Sequence, residues 1–161
     1  MEIKVDPITH PQVLELLNQH LQDMNANSPE ESVHALDVSG LLHPSVTFWT
    51  LWNKDQLLGC GALKRLDDQH GEIKSMRTAN SARKQGVAST LLEYIIEHAK
   101  QQGYQRLSLE TGTMAFFHPA HRLYQRYGFQ ECAPFSNYQL DPNSLFMTRD
   151  VESVASIKAK D

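Results

Sequence analysis

Hydrophobic and polar positions repeat with two different periods along this chain, and each change of period marks a new element. Ile3 and Val5 alternate with polar residues ahead of Asp6-Pro7, which predicts a short first strand. From Pro11 to Met24, Val13, Leu14, Leu16, Leu17, Leu21 and Met24 recur at helical spacing, and Asn25-Ala26-Asn27-Ser28-Pro29 interrupts that helix. Ser28 reads as an N-cap, followed by a first-turn proline, Pro29, and first-turn acids, Glu30 and Glu31; a second helix to about Leu36 is expected. Val46 to Trp52 is β-branched and aromatic, Asn53-Lys54-Asp55 turns, and Gln56 to Leu66 returns. Trp49 and Trp52 stand three apart on this strand, so they face opposite ways, with one of them in the core. After a second turn at Asp67 to Gly71, Glu72 to Thr78 completes an antiparallel meander. Ile73 and Met76 are also three apart, so either one is exposed or a bulge reorients part of the strand.

Helix and strand then alternate. Ala88, Leu91, Leu92, Ile95, Ile96 and Ala99 form a stripe of helical period, and Gly103 is its stop. Arg106 to Glu110 is a short strand. Pro119 to Tyr127 is a helix with Ala120, Leu123, Tyr124 and Tyr127 on one side, ended by Gly128. Phe129 to Cys132 and Leu145 to Arg149 are the last strands, separated by a loop from Pro134 to Asn143. The order β-α-α-β-β-β-α-β-α-β-β predicts an α+β (mixed α/β) fold, a sheet packed with helices.

Composition narrows the function without naming it. A chain of 161 residues fits one domain with a real core. The formal net charge of −4 argues against broad nucleic-acid binding, which needs cations to neutralise phosphates. A local basic patch could still hold a small phosphorylated ligand. No apolar run is long enough to cross a membrane, and the N-terminus MEIKVDPITH lacks the layout of a secretory signal. Cys60 and Cys132 make neither a disulfide framework nor a metal cluster, so a reducing cytoplasm is the expected setting.

The stretch Arg83-Lys84-Gln85-Gly86-Val87-Ala88-Ser89 places two cations and a glycine where a helix begins. The first N–H groups of a helix lack internal partners, and the helix dipole adds partial positive charge there. Gly86 lets a ligand approach the backbone closely, and small Ala88 and Ser89 leave room. Such a turn suits a diphosphate. By itself it is equally an ordinary strand-to-helix connection with solvated cations. It lacks the spacing of a P-loop and the three glycines of a dinucleotide fingerprint.

Two motifs together say more. Arg83-x-x-Gly86-x-Ala88 resembles the Q/R-x-x-G-x-G/A motif of the GNAT superfamily of N-acetyltransferases. Ala120-x-x-Leu123-Tyr124-x-x-x-Gly128-Phe129 resembles the A-x-x-L-Y-x-x-x-G-F helix of the same superfamily, and the element order fits over nearly the whole chain. One departure is Phe117, seven positions before Tyr124, where many relatives carry asparagine. The resemblance implies a mostly antiparallel mixed sheet splayed between its fourth and fifth strands. It also implies acetyl-coenzyme A as co-substrate, with no metal. The diphosphate would lie on the amides of Lys84, Gln85, Gly86, Val87, Ala88 and Ser89, beside Arg83. The pantetheine arm would pair with the strand end at Met76, Arg77 and Thr78, as an extended peptide adds to a sheet edge.

Acetyl transfer to an amine needs a neutral amine, a donor to the thioester oxygen, and a proton for the departing sulfur. The motif assigns the last role to Tyr124. Glu72 is the base candidate, because some members of the superfamily carry a glutamate eleven positions before the phosphate motif. Glu110, at the end of the next strand, a histidine (His118 or His121) or water are the alternatives. A backbone N–H near Arg77 is the expected oxyanion donor. Cys60 reads as buried and inert, and neither thiol has a local histidine. The acceptor side would be built from the first two helices and the late loop, with Phe135, Asn137, Tyr138, His34 and Asp37 as contacts. The acceptor is then a primary amine on a small molecule or a peptide. Its identity is open, and so is a homodimer. Two rival readings are a non-catalytic acyl-CoA binding or sensing module on the same fold and a purely structural partner protein.

Overall fold

The computed structural model describes residues 1–152; the expected domain runs to 161, and residues 153–161 lie outside the described ones. Seven strands form one sheet: β1 (Glu2–Val5), β2 (Val46–Asn53), β3 (Gln56–Arg65), β4 (His70–Thr78), β5 (Arg106–Gly112), β6 (Gln130–Glu131) and β7 (Ser144–Asp150). Their order is β1-β2-β3-β4-β5-β7-β6, and every neighbouring pair is antiparallel except β4–β5. The helices are α1 (Pro11–Asn27), α2 (Val38–Leu41), α3 (Val87–Gln101) and α4 (His118–Arg126).

Alternation along the strands gives each sheet face its own core. On one face Trp49, Leu63, Ile73, Leu107, Leu109 and Met147 pack against Leu92, Ile95 and Ala99 of α3 and Tyr124 of α4. On the other, Phe48, Trp52, Cys60 and Ala62 meet Val13, Leu16 and Leu17 of α1 and Leu41 of α2. Both tryptophans are therefore core, one per face, where a single core tryptophan was expected. Over its central strands the sheet is covered on both sides, so Trp49 and Trp52 are buried whichever way they face. Each large side chain so buried contributes about 1.5–3 kcal/mol.

Two features of β4 open the sheet. Its parallel ladder with β5 pairs only His70–Ile73 with Arg106–Leu109, after which β4 continues to Thr78 and β5 to Gly112 without pairing. This is the splay that the resemblance implies. The second feature is a bulge. Cys60 pairs with Arg77 and Ala62 with Lys74, so β4 carries one residue more than β3 over the same span. Ser75 absorbs it at φ 56°, in the left-handed region. Ile73 and Met76 consequently both pack on the α3 side, which settles the choice posed by their spacing in favour of the bulge.

The expected second helix does not form. Ser28 is the extended residue that ends α1, and Glu30–Ser32 make one 3₁₀ turn. Helix begins only at Val38, where the Asp37 carboxylate accepts from Gly40 N at 2.8 Å. The cap and acid signals were present, but Ser28 to Leu36 offers no apolar stripe to hold a helix against the sheet. Ser32 instead donates to Asp141 at 2.6 Å, tying this segment to the 133–143 loop.

Candidate active site

The turn before α3 has the geometry that its composition suggests. Lys84 (φ 64°) and Gly86 (φ 75°) are both left-handed, which turns the chain sharply into Val87. No side chain caps α3 and its first turn holds no acid, so the leading amides remain available. A Cβ on Gly86 would meet no heavy atom within 4 Å, so that face of the turn opens into free space. Position is set from below by Gly59 on β3. A Cβ there would come 2.7 Å from the Arg77 carbonyl oxygen and 2.7 Å from Val87 Cγ1, so only glycine lets α3 sit this close to the sheet.

A cleft of about 410 Å³ runs in front of these amides, within the range of about 300–1,000 Å³ usual for small-molecule sites. It is lined by Met76, Arg77 and Thr78 from β4, by Arg83, Lys84, Gly86, Val87, Ala88 and Ser89, and by α4. Gln85, exposed at the tip of the turn, does not line it. The β4 edge from Lys74 to Thr78 has no strand partner on the β5 side among the described residues, so its main-chain groups can receive an extended ligand. Arg126 of α4, which the motifs did not indicate, also lines the cleft and donates to Ser89 Oγ at 3.0 Å. The site thus combines uncapped helix amides, three cations (Arg83, Lys84 and Arg126) and an open strand edge. These are the features a phosphorylated carrier with an amide-bearing arm would use.

Tyr124 lines the far part of the cleft from α4, buried against Phe129 with ring centroids 5.6 Å apart. Burial raises its pKa, so the hydroxyl stays protonated through the neutral range. Tyr127 packs and donates to Glu93 at 2.7 Å, as a core residue should. Phe117, in place of the asparagine of many relatives, closes on Gly112, which has no Cβ to obstruct the ring.

The opposite face of the splay is polar. Glu72 is 2% exposed and is not solvated at a strand start. Its Oε2 accepts from Lys74 Nζ at 3.0 Å and from Tyr138 OH at 2.5 Å, and Lys74 Nζ also donates to Tyr138 OH at 3.0 Å. Burial first, and then Glu72, raises the Tyr138 pKa. His34 packs edge-on to Tyr138, and Phe135 and Phe146 complete the aromatic wall. Asn137 is exposed, and Asp37 serves as the α2 cap. Glu110 sits one residue past the end of the β4–β5 ladder, with no ion pair among the described residues. Burial, only partly opposed by nearby Ser144 and Lys74, lifts its pKa to about 7. Arg77 sends its side chain to this face, where it meets Asp23 of α1 at 2.6 Å beside buried His20.

The two histidines lie at the corner between β5 and α4, and Cys60 lies within the sheet. His121 Nε2 lies 2.7 Å from the Gly112 carbonyl oxygen and ties α4 to β5; His118 stacks near it, with ring centroids 5.6 Å apart. Cys60 is buried, its pKa pushed up to about 12 by burial, and its thiol points at the Ser75 carbonyl oxygen at 3.2 Å. Among the described residues no group of three or more His, Cys, Asp or Glu side chains could hold a metal ion, and no helix is long and apolar enough to cross a membrane. Lys74 was within reach of sequence reasoning, because it lies two residues from Glu72 on one strand face. Tyr138 and Arg126 were not, because loop closure and helix crossing bring them in.

Known proteins share both the sequence and the shape. The chain is 56% identical over 149 residues to the uncharacterized N-acetyltransferase YsnE of Bacillus subtilis, covering 92% of this chain and 99% of that protein. It is 52% identical over 146 residues to the uncharacterized N-acetyltransferase YedL of Escherichia coli, covering 91% and 92%. A Bacillus subtilis acetyltransferase solved in complex with CoA shares the fold at TM-score 0.69 and 22% identity, over 92% of this chain and 97% of that one. The model of the acetyltransferase (GNAT) family matches residues 12–129, which contain the turn before α3, the splayed strands and Tyr124. This chain therefore belongs to the GNAT family of acetyltransferases.

Proposed function

We propose that the chain is an acetyl-CoA-dependent N-acetyltransferase that passes the acetyl group directly to a primary amine on a small molecule or a peptide. One observation carries this reading. The uncapped N-terminus of α3 faces a cleft that leads along the open edge of β4 to the buried hydroxyl of Tyr124. The amides from Lys84 to Ser89 would hold the diphosphate, with Arg83, Lys84 and Arg126 supplying charge around it. Met76, Arg77 and Thr78 would pair with the pantetheine arm, and a main-chain N–H of this edge would stabilise the thioester oxygen.

The amine would arrive from the polar face, between α1 and the 133–143 loop. It attacks the carbonyl carbon, the nitrogen–carbon bond forms and the carbon–sulfur bond breaks. Tyr124, on the other side of the splay, donates a proton to the departing sulfur. The proton lost by the amine goes to a carboxylate on its own side, where both Glu72 and Glu110 stand. No covalent intermediate with the protein is needed. A reducing, cytoplasmic setting belongs to this reading, supported by two cysteines that are both free thiols.

Two measurements test it together. Calorimetry should show acetyl-CoA binding, and thiol release from acetyl-CoA should depend on which member of an amine panel is added. Binding without release by any amine would favour an acyl-CoA sensing module. Absence of binding would remove the carrier assignment.

A further inference from the structure

Glu72 and Glu110 occupy adjacent strands on the same face of the splay, but their surroundings differ. Both Glu72 contacts fall on one oxygen, from a cation and a phenol, and they fix the carboxylate in place. Lys74 and Tyr138 also contact each other, so Glu72 is bound into a closed cluster rather than left free toward the gap. Glu110 is the first β5 residue beyond Leu109, where the ladder with β4 ends. Its backbone pairs with Phe146 on β7, on the face opposite the Leu109 that packs toward Tyr124. Acid and base would thus stand on opposite sides of the strand gap through which the thioester passes.

We infer that Glu110 takes the amine proton, and that the Glu72–Lys74–Tyr138 cluster acts through Glu110 as its positioning and tuning group. The inference rests on the acetyltransferase reading and deepens it. The bound ammonium gives one proton to the Glu110 carboxylate, which passes it to solvent. The freed nitrogen lone pair attacks, and the sulfur takes its proton from Tyr124. Tyr124 recovers one from the newly acylated nitrogen, leaving a neutral amide and a thiol.

The groups facing Glu110 predict opposite signs for two substitutions. Lys74 favours its charged form, whereas Glu72 and Asp141 disfavour it. Tyr138, bonded to Glu72, is neutral, and the Ser144 hydroxyl carries no charge. The His121 ring is committed to the Gly112 carbonyl oxygen. Lys74→Met should therefore move the Glu110 midpoint to higher pH, and Glu72→Gln should move it to lower pH.

The carboxyl-carbon NMR titration of ¹³C-glutamate-labelled protein reads this without carrier or acceptor, with Glu110→Gln assigning the resonance. A midpoint near neutrality that moves up in Lys74→Met and down in Glu72→Gln is expected. A Glu110 midpoint in the ordinary carboxylate range, or shifts of the same sign, would overturn the inference. Turnover with the best amine of the panel should fall about 100-fold or more in Glu110→Gln and less than about tenfold in Glu72→Gln, with acetyl-CoA affinity kept in both. The reverse ranking would make Glu72 the base. If acetyl-CoA binds but no amine is turned over, the reaction is lost, while the carbon titration still decides how Glu110 is tuned.

Discussion

Tyr124 packs in the core, and the proposed reaction asks a proton of its hydroxyl as well. Its ring belongs to the core between β5 and α4, and burial keeps its hydroxyl protonated. Tyr124→Phe retains the ring against Phe129 and removes only the exchangeable proton. Turnover should drop about 100-fold while the dissociation constant of acetyl-CoA changes by less than about twofold, as measured by thiol release and calorimetry. Unchanged turnover would remove its role as acid. His20 raises a different issue. It is buried on α1, and burial first, with Arg77 adding to it and Asp23 opposing, lowers its pKa from 6.5 to about 4. The folded state therefore resists protonation that the unfolded chain accepts. Stability is fully present above pH 6.5 and declines as pH falls to about 4, by an amount on the order of 3 kcal/mol. In His20→Leu that part of the decline should vanish, so urea midpoints of variant and parent should converge or cross between pH 7 and pH 4. Parallel pH dependences would show that His20 is not held neutral.

Individual elements were legible to the extent that their stripe and their ends agreed. α3 has Leu91, Leu92, Ile95 and Ala99 at helical spacing and a glycine on each side, and it forms as read. The expected helix after Ser28 had end signals without a stripe, and only a turn forms. The bulge was half legible: Ile73 and Met76 posed the question, and only pairing with β3 answers it. The conformation of the turn before α3 was readable because its residues are consecutive, and the anion site proposed for it rests on the same local sequence. The Glu72 environment was not, because Tyr138 lies 66 residues away in sequence. The turn also gives a clean test. Gly86→Glu places a carboxylate in open space, so core packing is untouched and only left-handed strain of about 1–2 kcal/mol is added. Acetyl-CoA binding should be abolished in calorimetry while the thermal transition remains cooperative. Ordinary binding would count against the diphosphate assignment.

At the scale of the whole molecule, charge is divided by region. The chain carries a formal −4, yet the cleft proposed for the carrier gathers Arg83, Lys84 and Arg126. Carrier affinity should therefore weaken several-fold between about 50 and 300 mM salt, and Arg126→Gln should make that dependence shallower. A flat salt response would mean that the amides act without help from the side chains. The two sides of β4 are divided as well, with Ile73 and Met76 toward α3 and Glu72, Lys74 and Arg77 toward α1 and the loop at 133–143. The extra residue at Ser75 keeps that division in register. Were the strand regular with all its residues present, Met76 and Arg77 would trade sides. Deleting Ser75 outright is different: Met76 would fall opposite Gly61 and Arg77 would stay opposite Cys60, so both would keep their sides. A one-codon deletion here is accordingly expected to spare the core and to remove only the kink.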